Sequence, residues 1–267
     1  MDLASRAVKA TCRIVCQSPQ GEMIGTCFWF AFVKPNDQSM MSPLLVTNRH
    51  VVEGCTEANL RVNVFLDGND TSVPYEIHIP KVDSQFLKHP DENVDLAVLD
   101  ASWLFSHLTN DNIKLDVCVF TDDLIEGGGR ISPIEDVYMT GYPNGLWDEV
   151  NNRPITRKGI TATAVSDNWN GKREFMIDMA CFAGSSGSPV YILNQRFFTI
   201  DPVSNTDTRI LLLGVLYAGP VAQLSGDVEI VHVPTSTKLV SRTQQGLNLG
   251  FVIKAERLYD FKPLLGI

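Results

Sequence analysis

The sequence predicts an all-β protein that consists of two β-barrels in tandem and ends in a short helix. Short runs in which apolar and polar residues alternate dominate the chain, and this period is typical of half-buried strands. Clusters of Gly, Pro, Asn and Asp separate the runs at intervals typical of sandwiches and barrels. A glycine triplet at residues 127–129 lies near the middle. It indicates a linker between two β units.

The alternating runs fall on both sides of this glycine triplet. Those before it are residues 9–16, 23–33, 43–47, 59–66, 73–79, 95–99 and 114–120. Those after it are residues 136–140, 159–165, 174–179, 189–193, 209–217, 228–233 and 249–253. We therefore expect an N-terminal β unit over residues 1–126 and a C-terminal β unit over residues 130–267.

The end of the chain has helical rather than strand-like spacing. Leu258, Phe261 and Leu265 lie on one side of a helix over residues 254–265. Pro263 keeps this helix short, because proline lacks the amide N–H and its ring clashes with the preceding turn. Residues 220–248 are less regular, and we expect a loop or an added hairpin there.

Composition excludes several classes of partner. The chain has 267 residues, of which 44% are hydrophobic and 20% charged, with a net charge of −9. These proportions are ordinary for a soluble globular protein. A nucleic acid or an anionic membrane is bound mainly through clustered Lys and Arg. The densest basic stretches, residues 153–158 and 172–173, are too sparse for this, so neither partner is expected.

The N-terminus and the cysteines point to the cell interior. Residues 1–6 lack the apolar core of a secretory signal, and apolar stretches such as residues 210–216 are too short to cross a bilayer. We therefore expect a cytoplasmic protein. The sequence contains six cysteines without a short paired spacing, which we interpret as buried free thiols in a reducing compartment. They are Cys12, Cys16, Cys27, Cys55, Cys118 and Cys181.

No metal or cofactor is expected. The turn at residues 67–70 offers oxygen ligands at a spacing suited to calcium, but no later bidentate glutamate follows. A solvated hairpin turn is the favoured interpretation.

Three segments carry residues suited to nucleophilic catalysis. Ser186 lies in a glycine-rich turn, AGSSGSPV, at residues 183–190; His50 lies in TNRHVV, and Asp95 begins DLAVL. A serine hydroxyl is a weak nucleophile and needs a base, a task suited to histidine. A carboxylate then fixes the tautomer of the imidazole. The chain order His, Asp, Ser is one of three known orders that build such a triad.

At these residues the chain resembles the trypsin/chymotrypsin-like serine protease superfamily. The likeness is closer to two bacterial branches, the high-temperature-requirement proteases and the glutamyl endopeptidases. GSSGSPV is similar to the GNSGSPV of the glutamyl branch, TNRHVV to the TNxHVV of both branches, and DLAVL to the D(L/I)AVL of the family. Shorter matching motifs extend the likeness over residues 9–254. The resemblance implies a chymotrypsin-like fold of two six-stranded antiparallel β-barrels.

The resemblance also implies roles for the candidate residues. In a serine endopeptidase, His50 would be the general base, Asp95 its orienting carboxylate and Ser186 the nucleophile that forms an acyl-enzyme. The backbone amides of Gly184 and Ser186 would form the oxyanion hole. The remaining histidines lack a matching context, and surface or packing roles are expected for them: His78, His89, His107 and His232.

Departures from the family pattern limit these expectations. Ser185 stands where digestive members keep an aspartate that pairs with a freshly cut N-terminus, so activation by that pairing is not expected. The chain ends after the helix, so we expect no regulatory domain of the kind that follows the high-temperature-requirement protease unit. Capture of a protein or peptide substrate, and its control, would then come from loops, oligomerisation or a regulatory protein partner.

Substrate preference is predicted from the pocket that the resemblance implies. Leu216 falls where glutamyl endopeptidases place a histidine, and Ala180 where trypsin-like members hold an aspartate. Neither an acidic nor a basic side chain is therefore expected before the cleaved bond, and we predict an apolar one. The implied pocket residues are Ala180, Cys181, Phe182, Ala183, Leu216, Tyr217, Ala218, Gly219 and Gly250.

Two alternatives remain open. The first is a serine esterase with Ser185 as nucleophile and Asp227 and His232 downstream, but its nucleophile turn must be followed by a helix, and residues 189–193 have strand character. The second is a catalytically inactive binding module on the same fold. The intact set of His50, Asp95 and Ser186 counts against it.

Overall fold

The computed structural model describes residues 2–34, 37–66, 71–110, 112–125, 131–194, 209–228 and 239–267. Its N-terminal half contains nine strands: β1 Thr11–Ser18, β2 Gly21–Lys34, β3 Asp37–Thr47, β4 Glu57–Phe65, β5 Val73–Pro80, β6 Leu87–Lys88, β7 Ala97–Asp100, β8 Lys114–Leu115 and β9 Phe120–Thr121. Among the described residues its four α-helices are α1 Leu3–Ala10, α2 Arg49–Val52, α3 Val82–Gln85 and α4 Ser102–Asn110, and a 3₁₀-helix lies at Asp122–Leu124.

These strands form one sheet, the N-terminal sheet, in the order β5-β4-β1-β2-β3-β7-β6. The two-residue strand β8 pairs with β4, and β9 runs parallel to β2. In β4, Ala58, Leu60 and Val62 are buried at every second position, because successive side chains of a strand point to opposite faces. The six longer strands correspond to the predicted barrel, and three two-residue strands are added to them.

The C-terminal half contains a closed six-stranded antiparallel barrel, in the order β10-β11-β12-β17-β14-β13. The strands are β10 Asp136–Gly141, β11 Ile155–Thr161, β12 Glu174–Asp178, β13 Pro189–Asn194, β14 Arg209–Ala218 and β17 Leu249–Lys254. Between β14 and β17, the strands β15 Val221–Val228 and β16 Leu239–Gly246 pair as a hairpin. A 3₁₀-helix at Ala255–Phe261 and a single helical turn, α5 Lys262–Leu265, end the fold.

This architecture confirms the predicted fold class, including the short C-terminal helix. Leu258 and Phe261 are buried as expected. Residues 220–248 contain the added hairpin rather than only a loop. The glycine triplet at residues 127–129, the turn at residues 67–70 and most of the predicted strand 228–233 lie outside the described residues, so these three predictions stay untested.

The first helices of the chain were not expected from the alternation pattern. Residues 9 and 10, placed in a strand, end α1 instead. The Asp2 side chain caps this helix by accepting a hydrogen bond from Ser5 N at 2.9 Å, which satisfies one of the unpaired amides of the first turn. In α4, Leu104 and Leu108 are buried one helical turn apart. Such short amphipathic helices are easily mistaken for strand ends or loops.

The core joins the two halves. Alternate residues of β13 divide between two clusters, because Val190 and Ile192 pack inside the C-terminal barrel while Tyr191 packs with Phe28 and Phe30 of the N-terminal sheet. The two halves therefore share buried apolar surface, and this packing fixes the elements on either side of the boundary relative to one another. None of the helices in the described ranges combines the length and apolar character needed to cross a bilayer.

Candidate active site

A histidine and a carboxylate from two separate segments meet at the edge of the N-terminal sheet. His50 lies in α2, directly after β3, and Asp95 lies two residues before β7. Asp95 Oδ1 accepts a hydrogen bond from His50 N at 2.9 Å, and Oδ2 lies 2.5 Å from His50 Nδ1. Asn48 Nδ2 donates to the Asp95 carbonyl at 2.8 Å. These bonds fix the orientation of the imidazole. Nε2, the other ring nitrogen, is not bonded to Asp95.

The Ser186 turn belongs to the C-terminal half but docks on the N-terminal sheet. The Ser186 carbonyl accepts a hydrogen bond from Thr26 N at 2.9 Å, and Thr26 Oγ1 donates to the Gly184 carbonyl at 2.8 Å. Gly184 and Gly187 have φ values of 80° and 88°, a conformation that glycine adopts without steric cost. A Cβ at Gly187 would overlap the Thr26 carbonyl oxygen. The turn therefore requires glycine at this position.

Two backbone amides in this turn have no acceptor among the residues that the structure describes. Ser185 N donates to Phe182 O, Gly187 N to Leu216 O and Ser188 N to Ser185 O. Within the part of the chain that the structure describes, neither Gly184 N–H nor Ser186 N–H donates to a protein acceptor. Backbone N–H groups are seldom left without a partner. A pair of them on either side of Ser185 can stabilise an anionic oxygen.

The Ser186 hydroxyl lies at the boundary of the two halves. It donates to the Tyr217 carbonyl at 3.5 Å, and no hydrogen bond joins it to His50 among the described residues. The pKa of Tyr217 is raised chiefly by burial, then by its hydrogen bond to Glu174. The carbonyl of Thr26, which binds the Ser186 turn, accepts a hydrogen bond from Thr47 Oγ1 at 2.8 Å. Contacts through Thr26 thus join the Ser186 turn to the segment that leads into His50.

A cavity of about 200 Å³ opens beside Ser186. Six of the predicted pocket residues line it, namely Cys181, Phe182, Ala183, Leu216, Ala218 and Gly219. The sequence analysis missed Pro220, Leu247, Asn248 and Leu249, which also line it. None of the described lining residues carries a charged side chain. Burial raises the pKa of the Cys181 thiol to about 11, so this group is neutral at pH 7 as well.

Three of the predicted pocket residues lie outside the lining of this cavity. The Ala180 carbonyl accepts a hydrogen bond from Arg157, and the Tyr217 hydroxyl donates to Glu174 Oε2 at 2.9 Å. Gly250 packs behind the wall, where a Cβ would lie 2.7 Å from Cys181 Sγ. These residues therefore support the cavity from behind, and the turn before β17 supplies its opposite wall.

Ser185 is unsuited to the nucleophilic role that the esterase alternative requires. Its side chain is fully buried, and its Oγ accepts a hydrogen bond from Arg157 Nη2 at 2.8 Å. The turn leads into strand β13, not into a helix. The side chains of Asp227 and His232 lie outside the described residues. A buried, hydrogen-bonded hydroxyl followed by a strand does not form the exposed nucleophile turn of an esterase.

The other histidines that the structure describes are placed elsewhere. His89 is buried, and its Nε2 lies 3.1 Å from Asp260 Oδ2. His78 is exposed beside Asn59, and His107 lies in α4. In the described ranges, no three side chains of the His, Cys, Asp and Glu types cluster in a way that would bind a metal ion.

Comparison with known proteins gives one family and one fold. No curated protein matches the sequence significantly. Two structures of the HtrA-type protease AlgW with tripeptide are similar to the chain, with TM-scores of 0.52 and 0.51 at 15% and 16% identity. The matches cover 98% of this chain but only 62% of the AlgW chains, and at this identity they concern the fold alone.

A family model decides the assignment. The model described as a trypsin-like peptidase domain matches residues 25–197, a segment that includes His50, Asp95 and Ser186. The match covers well over half of the chain. The chain therefore belongs to the trypsin-like peptidase family.

Proposed function

We propose that this chain is a serine endopeptidase that hydrolyses peptide bonds through His50, Asp95 and Ser186. The observation that carries the proposal is the pair of hydrogen bonds that the Asp95 carboxylate accepts from the backbone N–H and the ring Nδ1 of His50. It couples two residues 45 positions apart in the chain, and it fixes the tautomer with the proton on Nδ1. Nε2 is then the basic nitrogen that a general base requires.

In the proposed reaction Ser186 Oγ attacks the carbonyl carbon of the peptide bond while its proton passes to His50 Nε2. The hydroxyl must first exchange its long hydrogen bond to Tyr217 O for one to His50. Such bonds are often long in free enzymes and tighten when substrate binds. His50 then protonates the leaving amine, and the acyl group stays on Ser186. A water molecule, deprotonated by His50, releases the acyl group as a carboxylic acid.

The free amides of Gly184 and Ser186 would stabilise the tetrahedral intermediate. The carbonyl oxygen becomes negative when Ser186 attacks, and donors already in place need no reorganisation at that moment. Each such donor contributes roughly 3–4 kcal/mol to the stabilisation of the transition state. The absence of a protein acceptor for both N–H groups in the described structure supports this role.

Labelling with a fluorophosphonate probe tests the proposal. We expect the wild-type protein to gain one probe adduct, located on Ser186 by tandem mass spectrometry, because only an activated serine reacts with such probes. Ser186→Ala should lose the adduct, whereas Ser106→Ala, in the distant helix α4, should react like the wild type. A wild-type protein that takes up no probe would overturn the proposal and indicate a binding module. An adduct on another serine would also contradict it.

The cavity beside Ser186 supports a preference for an apolar side chain before the cleaved bond. Its described lining residues are uncharged, and most are aliphatic or aromatic. We expect cleavage of a mixed peptide library to occur mainly after apolar residues, because a charged side chain would lose its hydration there without gaining a partner. Sequencing of the cleavage products measures this preference. Cleavage mainly after Arg, Lys or Glu would contradict it.

A further inference from the structure

Arg157 binds both ends of residues 180–185, the segment that leads to Ser186. It lies on β11, and its Nη1 donates to the Ala180 carbonyl at 2.5 Å while its Nη2 donates to Ser185 Oγ at 2.8 Å. The guanidinium carbon also lies 5.9 Å from the centre of the Phe182 ring. One planar group therefore contacts the start, middle and end of residues 180–185.

In the described part of the chain the guanidinium is held by neutral acceptors and not by a carboxylate. Among the described residues Arg157 forms no ion pair, and its Nε is buried without a hydrogen-bond partner. Burial lowers the pKa of Arg157, because desolvation of its charge is not offset by a nearby anion. A partly buried cation without an anionic partner is costly to keep. The turn, and not an ion pair, supplies the hydrogen-bond acceptors of this cation.

Ser185 lies between the two residues whose amides are free. The Ser185 carbonyl and the Ser186 N–H belong to one planar peptide unit, so the backbone of Ser185 sets the direction of that N–H. In the described structure the Ser185 side chain accepts a hydrogen bond from Arg157. No charged pair with an N-terminus is available at this position, because Ser185 is neutral. The contact from the neighbouring strand β11 therefore adds to the two hydrogen bonds from Thr26 that hold the turn.

We propose that Arg157 is a positioning residue that holds residues 180–186 in the conformation that binds the oxyanion. This inference rests on the proposed function, since it concerns how the same site is kept ready. Arg157 acts through Ser185 and Ala180 and does not line the cavity beside Ser186. Its loss should therefore weaken stabilisation of the transition state more than binding of the substrate.

The test compares Arg157→Met with Arg157→Lys. For Arg157→Met we expect kcat to fall about 100-fold, similar to the loss of one oxyanion donor, with KM changed less than about threefold. Affinity for a peptide boronic acid, which forms a tetrahedral adduct, should fall in parallel. Affinity for the product peptide ending at the cut should not change. Arg157→Lys should regain about tenfold in kcat, because one ammonium reaches one of the two acceptors but lacks the planar fork.

The matched control is Lys158→Met, the next residue of the same strand. Lys158 is exposed and pairs with Asp136 at the surface, so its replacement should leave kcat within about twofold, as expected for an exposed pair. If Arg157→Met does not fold, Ser185→Ala removes only the acceptor of Nη2. We expect that variant to keep its melting temperature and to lose about tenfold in kcat.

Three outcomes would overturn the inference. The first is a folded Arg157→Met protein with wild-type kcat and boronic acid affinity. The second is an equal loss of product-peptide and boronic acid affinity, which would indicate a merely structural role. The third is wild-type kcat in both Arg157→Lys and Ser185→Ala. A wild-type protein that does not react with the fluorophosphonate probe would overturn the proposed function itself, and this inference with it, so the two failures are distinguishable.

Discussion

Replacing Asp95 by asparagine is expected to lower kcat by about 10⁴-fold, the effect of the corresponding change in a Ser-His-Asp triad, while the protein stays folded. The substitution keeps the shape of the side chain. However, it places an amide donor or a weaker acceptor against His50 Nδ1, where Asp95 Oδ2 now lies at 2.5 Å. The imidazole then loses the tautomer with a basic Nε2. Steady-state kinetics on a peptide with an apolar residue before the cut, together with circular dichroism, measure the effect.

The chain provides a matched control for this change. His89 and Asp260 form a second histidine–carboxylate pair, in which His89 Nε2 lies 3.1 Å from Asp260 Oδ2. His89 is buried, and neither residue belongs to the proposed active site. Asp260→Asn should change kcat by less than about threefold, since it weakens only the contacts of Asp260 with His89 and Arg257, neither of which belongs to the proposed active site. Equal losses of kcat in Asp95→Asn and Asp260→Asn, or a loss of less than tenfold in Asp95→Asn, would contradict the assignment of His50.

Gly187→Ala is expected to destabilise the protein by about 3–5 kcal/mol and to abolish probe labelling, because it combines backbone strain with overpacking. The φ of Gly187 is 88°, which an alanine rarely adopts. A Cβ there would also overlap the Thr26 carbonyl oxygen and lie 2.6 Å from Thr47 Oγ1. The clash would separate the Ser186 turn from the N-terminal sheet. Urea denaturation measures the loss as a shift in the free energy of unfolding.

The control variant Gly54→Ala separates the cost of backbone strain from the cost of the steric clash. Gly54 also has a positive φ, 71°, but a Cβ there would meet no atom within 4 Å. Only backbone strain remains, and we expect a loss of about 1 kcal/mol with normal labelling. If Gly187→Ala were no more destabilising than Gly54→Ala, the Ser186 turn would not be packed against Thr26 and Thr47 as described.

Much of the fold follows from the sequence because strands leave a strong alternating signal. In β4, the buried residues Ala58, Leu60 and Val62 show this period directly. The helix α1 was missed because its signal is local. It consists of one Asp2 cap and two small buried residues, Ala7 and Ala10. The two-residue strands β6, β8 and β9 were not predicted as separate strands either, since their pairing depends on neighbours that are distant in the chain.

The candidate site likewise has one part that the sequence predicts and one part that it does not. His50, Asp95 and Ser186 lie in short motifs that can be read without knowing the fold. Leu249 was missed because its position at the cavity depends on the pairing of β12 with β17. Leu247 was missed because its N–H bonds to the Pro220 carbonyl, which is distant in the chain. No local pattern encodes either contact.

Arg157 lies outside the strand predicted over residues 159–165, whereas β11 begins at Ile155. Its two acceptors are 23 and 28 positions away. A side chain whose partners come from a distant turn can be assigned only once the barrel is closed.

The most direct test is a crystal structure of the protein with a peptide boronic acid that carries an apolar side chain next to boron. We expect boron bonded to Ser186 Oγ, with one boronate oxygen about 2.7–3.1 Å from both Gly184 N and Ser186 N, the range for oxyanion donors. His50 Nε2 should lie within hydrogen-bond distance of Ser186 Oγ or of a second boronate oxygen. Boron bonded elsewhere, or His50 Nε2 more than about 5 Å from both oxygens, well beyond the reach of a hydrogen bond, would contradict the account.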